Sequence, residues 1–388
     1  MKKRISAILA LVTAFSLWIG AAPAAAAADL AIEIDGKTVA SDVAPVVKDG
    51  RTLVPLRVVT ETLGASVEWD AGKNQAIIET AAYTVVFTLG SKTYTVNGAQ
   101  KTLDVPAEAR DGRTLVPLRA LSESIGAEVS YDGVANKAVI RYFTGLTGSV
   151  KVSGSTTLLP IMQAAVDKLL AANGGLSVAV SGGGSGAGIK DTQEGANNVG
   201  MSSRELTADE LSSLSPVAVA SDGIAIIVHP SNPVQSLTKE QAAKIFLGEI
   251  KNWQDVGGSN APILVQTRET GSGTLSTLEE MLLEKNPVVG TATPFSSSAL
   301  IKQAVAGSVN AVGFDSIGFV DDTVKAVSLD GSAPGEQTVK SGEYPLSRSL
   351  YVITKGRAAG LDARLIDYLR TADVQNDIVK KEGYISIY

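Results

Sequence analysis

Three short loops of Gly, Ser and Thr, each set between a strand pattern and a helix pattern, constrain the second half of this 388-residue chain most tightly. They are residues 154–157 (Gly-Ser-Thr-Thr), 181–188 (Ser-Gly-Gly-Gly-Ser-Gly-Ala-Gly) and 268–274 (Arg-Glu-Thr-Gly-Ser-Gly-Thr). Val150-Lys151-Val152 reads as the strand before the first loop, and residues 176–180 as the strand before the second. After the first loop, residues 158–172 place Leu158, Ile161, Met162, Ala165, Val166, Leu169 and Leu170 on one helical face. Pro160 falls in the first turn of that helix, where its missing N–H costs little. Strands and helices keep alternating to the end of the chain, which predicts an α/β fold with helices on both faces of the sheet. Residues 225–229 and 349–353 are apolar strand patterns placed to cross between two lobes.

Each loop therefore stands at the carboxyl end of a strand, where open α/β sheets bind ligands. A helix N-terminus offers unpaired N–H groups and a partial positive charge. Glycine lets the backbone approach a ligand closely, and Ser and Thr hydroxyls add donors. Three such termini aimed at one point make an oxyanion cage. The third loop adds Arg268, whose planar fork suits a tetrahedral oxyanion.

Other templates fit worse. Gly183 and Gly188 have P-loop spacing, but Ile189 stands where lysine is required and Lys190 comes one place late. The dinucleotide-binding glycine pattern fails at its third glycine. The Gly-x-Ser-x-Gly elbow of hydrolases breaks at Ala187 for Ser185 and at Thr270 for Ser272. The chain has one histidine, His229, and no cysteine. Thiol chemistry, disulfides and histidine-based metal clusters are excluded. His229 precedes Pro230 at a strand end and reads as a surface or hinge residue; Trp253 reads as packing for a helix–turn. No metal, cofactor or catalytic residue is expected, and a phosphatase has no credible nucleophile–base pair here.

Residues 1–28 read as a secretory leader. Lys2, Lys3 and Arg4 are basic, residues 8–19 are apolar, and the Ala-rich run 21–28 offers small-residue cleavage sites. The formal charge is −6, and removing the three basic leader residues takes it to −9. Such a surface argues against nucleic acid as a partner, and an anion site must work by local dipoles and one or two cations. The expected location is outside the cell, secreted or at the cell surface or wall, without a lipid-attachment cysteine.

An internal repeat dominates residues 29–143. Residues 49–57 (Asp-Gly-Arg-Thr-Leu-Val-Pro-Leu-Arg) recur unchanged as residues 111–119. Each copy reads as a strand carrying Leu-Val-Pro, a short helix (56–63; 118–125), a C-cap glycine (Gly64; Gly126) and two alternating strands. Two copies are too few for a solenoid, so a single small α+β core is expected. This segment resembles the copper amine oxidase N-terminal domain, also called a stalk domain. With one histidine in the chain, the resemblance does not imply oxidase activity. Arg51, Arg57, Arg113 and Arg119 are candidates for contacting a cell-wall polymer or for a purely structural role.

Residues 143–148 form a Gly/Thr junction, and residues 147–388 resemble the phosphate-binding proteins of bacterial phosphate ABC transporters. The matching segments are the three loops, residues 201–206 (Met-Ser-Ser-Arg-Glu-Leu), 222–225, 245–250 and 344–348 (Tyr-Pro-Leu-Ser-Arg). The resemblance implies a two-lobed periplasmic-binding-protein type II fold that closes on its anion. Lobe I is expected at 147–228 and 345–388, and lobe II at 229–344. It implies a phosphate site of Thr156, Thr157 and Ser185 on the first lobe, with Arg268, Ser272, Gly273 and Thr274 on the second. Many members of the family carry Asp where this chain has Ser203, so Asp222 is the candidate for the missing carboxylate, with a turn or cap as its alternative role. Arg204 is a second cation near the site, or one half of a surface pair with Glu205. The expected partners are inorganic phosphate and the permease of an ABC transporter. The alternatives are another tetrahedral oxyanion such as sulfate or molybdate, or a wall-associated adhesion or phosphate-sensing role.

Overall fold

The computed structural model describes residues 30–388, so the expected leader lies outside the described residues. In the N-terminal domain the two copies of the repeat meet at their Leu-Val-Pro strands. Arg51–Pro55 and Arg113–Pro117 run antiparallel with Val54 opposite Val116. Leu53 lies opposite Pro117 and Pro55 opposite Leu115, so the pairing is symmetric about a local twofold axis at Val54 and Val116, and Leu53, Val54, Leu115 and Val116 are fully buried there. The helices Leu56–Thr62 and Leu118–Ser124 follow directly. Each ends at a glycine with φ of +75°, Gly64 and Gly126, the left-handed conformation that a C-cap glycine supplies. The symmetry is imperfect. Ala31–Ile34 of the first copy adds in parallel to Lys137–Arg141 of the second, whereas in the other half Thr84–Thr88 is inserted between Gln75–Glu79 and Thr93–Val96.

The rest of the chain is α/β. In the first lobe, Thr147–Gly154 lies between Gly175–Gly182 and Val199–Ser202, all parallel. Ser347–Lys355 pairs antiparallel with Val199–Ser202 and with the long strand Leu214–Val228. That long strand serves both lobes. Residues 214–223 pair with Ser347–Lys355, and residues 224–228 pair with Ala311–Ser316 in the second lobe. The strand therefore changes its pairing partner after Gly223. The strand that runs parallel to Ala311–Ser316 is Leu264–Arg268, with Thr293–Phe295 beyond it. The helix expected after the first loop spans Leu159–Ala171 and buries Ile161, Met162, Ala165, Val166 and Leu169. Trp253 is buried in the second lobe and donates its indole N–H to the Asn310 carbonyl at 3.0 Å.

The N-terminal domain is packed onto the first lobe. One apolar cluster runs from Leu121, Ile125, Tyr142 and Phe143 to Val150, Ile366 and Leu369. The helix Gly360–Leu369 supplies the polar contacts. Asp367 is fully buried and accepts the Tyr142 hydroxyl at 2.6 Å and the Ala81 N–H at 2.7 Å. The Arg364 guanidinium lies 3.5 Å from the Tyr142 ring centroid and donates to the Ile125 carbonyl. The junction is pinned on both sides: Asp35 accepts the N–H groups of Tyr142, Phe143 and Thr144, and Asn173 holds the Phe143 carbonyl and the Leu146 N–H.

Gly64 is the tightest point of this contact, since a Cβ there would lie 2.0 Å from the Asp367 carbonyl oxygen. Gly64→Ala is expected to lose roughly 1–3 kcal/mol of stability to backbone strain and, in addition, to loosen the domain from the lobe. Gly50→Ala, also at positive φ but with open space around it, is expected to show the strain term alone. Thermal unfolding combined with proteolysis at residues 143–148 separates the two outcomes.

Candidate functional site

The three Gly/Ser/Thr loops converge because each follows a strand of the α/β region into a helix. The strand Thr147–Gly154 leads to Leu159–Ala171, Gly175–Gly182 to the helix Ser185–Glu194, and Leu264–Arg268 to the helix Gly273–Met281. A fourth terminus joins them. Ser297 caps the helix Ser298–Ala306 by accepting the Leu300 N–H, and the Ser298 N–H points to the Thr156 hydroxyl at 3.4 Å.

Between the loops lies a small cavity, closed so tightly that it has no room for a water-sized sphere. Thr156, Thr157, Ser185, Ser203, Arg268, Ser272, Gly273 and Thr274 line it, together with Ser155 and Gly184. Sequence reasoning did not single out Ser155 and Gly184, although both lie within loops it identified. The two lobes touch across the cavity. The Thr157 and Thr274 hydroxyls are 3.1 Å apart, Arg268 donates through Nη2 to the Thr156 hydroxyl at 3.0 Å, and the Gly186 N–H donates to the Gly271 carbonyl at 2.9 Å. Gly273 is required at its position, because a Cβ there would sit 2.3 Å from Ser185 Oγ and 2.7 Å from Ser203 Oγ.

Arg268 is the one cation among the lining residues. It is 3% exposed, and protein groups hold its fork: Nε donates to the Phe295 carbonyl at 3.2 Å, Nη1 to the Ser298 hydroxyl at 3.0 Å and Nη2 also to the Ser296 carbonyl at 3.3 Å. Burial lowers its proton affinity, and the nearby Asp315 carboxylate opposes that shift. Ser203 is equally buried; its N–H donates to Ser185 Oγ at 3.0 Å, and the two hydroxyls are 3.2 Å apart.

Asp222 is not brought to the cavity. It is fully buried behind the site, where Arg348 donates to its Oδ2 through Nε at 3.0 Å and Nη2 at 2.8 Å, and Ser316 donates to its Oδ1 at 2.6 Å. The sequence reading placed it at the anion or in a turn or cap; instead the strand register sets Asp222 directly opposite Arg348. Burial raises this carboxyl above its usual range, and Arg348 and Ser316 act against that shift. Arg348 also donates through Nη1 to the Ser203 carbonyl at 2.9 Å, so the pair supports the cavity floor rather than lining it. The cavity consequently presents hydroxyls, N–H groups and one guanidinium, and its lining contains no carboxylate.

Arg204 also lies apart from the cavity. It forms a bidentate pair with Glu210 at 2.8 and 2.7 Å and reaches Glu205 only through its main-chain carbonyl. His229 Nδ1 accepts the Ser231 N–H at the strand end. The arginines of the repeat each have an acidic neighbour: Arg51 with Asp104, Arg57 with Glu61, Arg113 with Asp42 and Arg119 with Glu123. Among the described residues no cluster of three or more His, Asp or Glu could hold a metal ion, and no helix is long and apolar enough to cross a membrane.

Sequence reasoning missed three residues around Arg268. Ser298 follows two serines ahead of an apolar helical face, a capping signal that was present to be read. Arg348 stood inside a recognised motif without a role. Asp315 is a single acid in the buried strand Ala311–Ser316, and nothing local marks it.

Comparison with known proteins agrees with this architecture. The PBP superfamily domain matches residues 143–372, and the copper amine oxidase N-terminal domain matches residues 33–140. The phosphate-binding protein PstS of Bacillus subtilis is 35% identical over 248 residues, covering 62% of this chain and 81% of that protein. A crystal structure of a putative phosphate ABC transporter substrate-binding protein from Clostridium perfringens, with bound phosphate, superposes with a TM-score of 0.59 at 36% identity, covering 62% of this chain and all of that one. An ABC-type phosphate transport receptor from Vibrio cholerae superposes with a TM-score of 0.53 at 34% identity, covering 61% of this chain and 99% of that one. With a two-lobed α/β region whose loop termini converge on one small cavity, and with these relatives, the chain belongs to the PBP superfamily and, within it, to the family of phosphate-binding proteins that includes PstS.

Proposed function

We propose that this protein captures inorganic phosphate in the cleft between its lobes and delivers it to the permease of an ABC transporter on the outer side of the membrane. The observation that carries the reading is the convergence of three helix N-termini and the buried Arg268 fork on a cavity shared by both lobes. Helix termini and preset N–H groups stabilise an oxyanion without a global positive field, which suits a chain with a formal charge of −6. The relatives named above are phosphate-binding and phosphate-transport proteins, and the role proposed is accordingly binding rather than catalysis.

Thr156, Thr157, Ser185 and Ser203 would hold the anion from the first lobe, and Arg268, Ser272, Gly273 and Thr274 from the second. Neither half is complete alone, so binding is coupled to closure, and the closed shape is what a permease can read. Asp222 has no direct place in this reading, because both its oxygens are engaged by Arg348 and Ser316.

A second role, contact of residues 29–143 with a cell-wall polymer, is favoured by one feature. The repeat forms two grooves: Trp69, Arg57 and Arg113 line one, and Tyr131, Arg119 and Arg51 line the other. The two aromatic rings stand at equivalent positions and are 41% and 61% exposed. Co-sedimentation of the full chain with purified cell walls is expected to fall in the Trp69→Ala/Tyr131→Ala double variant; unchanged sedimentation removes this role.

Two variants test the phosphate site. Arg268→Ala leaves the anion without its buried cation, a loss of about 3–5 kcal/mol, so calorimetry is expected to show at least ~100-fold weaker phosphate binding. Near-normal binding overturns the site assignment. Gly273→Ala overpacks the closed cleft, at a cost of about 1–3 kcal/mol. Phosphate affinity is expected to drop on the order of tenfold or more, and the contraction on phosphate binding seen by small-angle scattering is expected to shrink.

A further inference from the structure

Arg268 finds no counter-charge among the residues that line the cavity. Glu269, its neighbour in the chain, is exposed. The opposite charge that acts on it most comes from Asp315. The two residues meet through strand register. Leu264 pairs with Ala311 and Val265 with Val312; the same parallel register, carried three residues further, sets Arg268 beside Asp315.

Asp315 is fully buried, and a neighbouring side-chain donor, the Ser298 hydroxyl, lies beyond normal hydrogen-bond distance of Oδ2 while still favouring the charged carboxyl. Its Oδ1 accepts the Ser316 N–H at 2.8 Å, and its Oδ2 has no hydrogen-bond partner. The Ser298 hydroxyl, which accepts Nη1 of Arg268 at 3.0 Å, lies beside it. The other charged and titratable groups that act on Asp315 are Arg348, from the strand Ser347–Lys355, and Tyr384, near the C-terminus. Asp222, on the strand Leu214–Val228, faces Arg348 and Tyr384. Asp222 neutralises Arg348 through a bidentate pair, which leaves Arg268 and Asp315 as the charges that decide what the cavity experiences.

A buried carboxylate oxygen without a donor is costly unless it carries a proton. Burial pushes the Asp315 carboxyl up to about 6, against the pull of Ser298 and Arg268. Below that value the carboxyl is neutral and the Arg268 charge is uncompensated. Above it the two charges cancel, and an arriving anion works against a carboxylate.

We propose that Asp315 is the counter-charge of Arg268 and a specificity-determining residue of the cleft, setting how much negative charge the cleft accepts by taking a proton from solvent when a dianion binds. The inference rests on the reading of the cleft as an oxyanion site. Asp315 does not line the cavity, so it acts through Arg268 as a positioning and charge-setting residue. No covalent step is involved; one proton moves from buffer to the Asp315 carboxyl as the anion enters.

The test is calorimetry on the full chain, wild type against Asp315→Asn, over roughly pH 5 to 8 in buffers of different ionisation enthalpy, with phosphate and with sulfate as an anion of fixed charge. Wild type is expected to bind on the order of tenfold more weakly at the upper end than at the lower end through this group, and to take up protons on binding. In Asp315→Asn, sulfate affinity is expected to stay flat at the wild-type low-pH value, and phosphate is expected to lose the part of its proton uptake that Asp315 supplies. A variant that keeps the wild-type pH slope and proton uptake, or that loses affinity equally at every pH, overturns the proposal. If the wild-type chain takes up neither anion, the functional reading fails instead, and Asp315 is judged by carbon NMR titration of its carboxyl. A midpoint that rises by about one unit in Arg268→Gln keeps Asp315 as the counter-charge, and an unmoved midpoint overturns it.

Discussion

A single buried ion pair lies where the two lobes join. Asp222 and Arg348 face each other on the antiparallel strands Leu214–Val228 and Ser347–Lys355, at the place where the first of these passes from one lobe to the other. Both side chains are almost wholly buried. Removing one partner of such a pair leaves a buried charge uncompensated and is strongly destabilising, so the pair constrains the elements around it. Ser316 reaches it from the second lobe. The Ser203 carbonyl accepts Arg348 from the first lobe, which places Ser203 on the cavity floor beside Ser185. One electrostatic contact thus touches two paired strands, a cavity residue and both lobes.

The N-terminal domain follows a different logic. Its repeat builds a core about a local twofold axis, and it then buries Tyr142, Phe143 and the turn at Gly64 against the helix Gly360–Leu369. The hydrogen bonds that reach this helix from the N-terminal domain go to Asp367 and Arg364, which belong to the first lobe. The domain therefore extends one lobe of the binding region. The cavity lies at the carboxyl end of the strand Thr147–Gly154, and this contact lies toward its start.

How much was legible in the sequence depended on the range of the interaction. The loops 154–157, 181–188 and 268–274 could be read because helix capping and close backbone approach are settled within a few residues. The repeat could be read because its two copies carry the same strand, helix and C-cap glycine in the same order. Asp222 was placed wrongly because its partner lies 126 residues away, and only strand register brings the two together. Asp315 went unnoticed for the same reason, as a lone acid in an apolar strand whose cation lies on a neighbouring strand. The junction 143–148 read as a link between domains because Gly and Thr suggest a turn, yet Asp35 and Asn173 pin it from both sides.

By itself, the sequence determined an α/β region with three anion-competent helix starts and a doubled α+β module ahead of it, because those properties follow from local backbone geometry and from periodicity. Only the tertiary structure decided that these starts share one cavity, that the acid at 222 pairs with Arg348 and does not line that cavity, and that Arg268 and Asp315 come to lie on neighbouring strands. Those outcomes depend on which strands pair and in what register, and a buried charge has no local preference that could announce its partner. The choice of partner is made by the cost of leaving such a charge unpaired, which appears only when the strands come together.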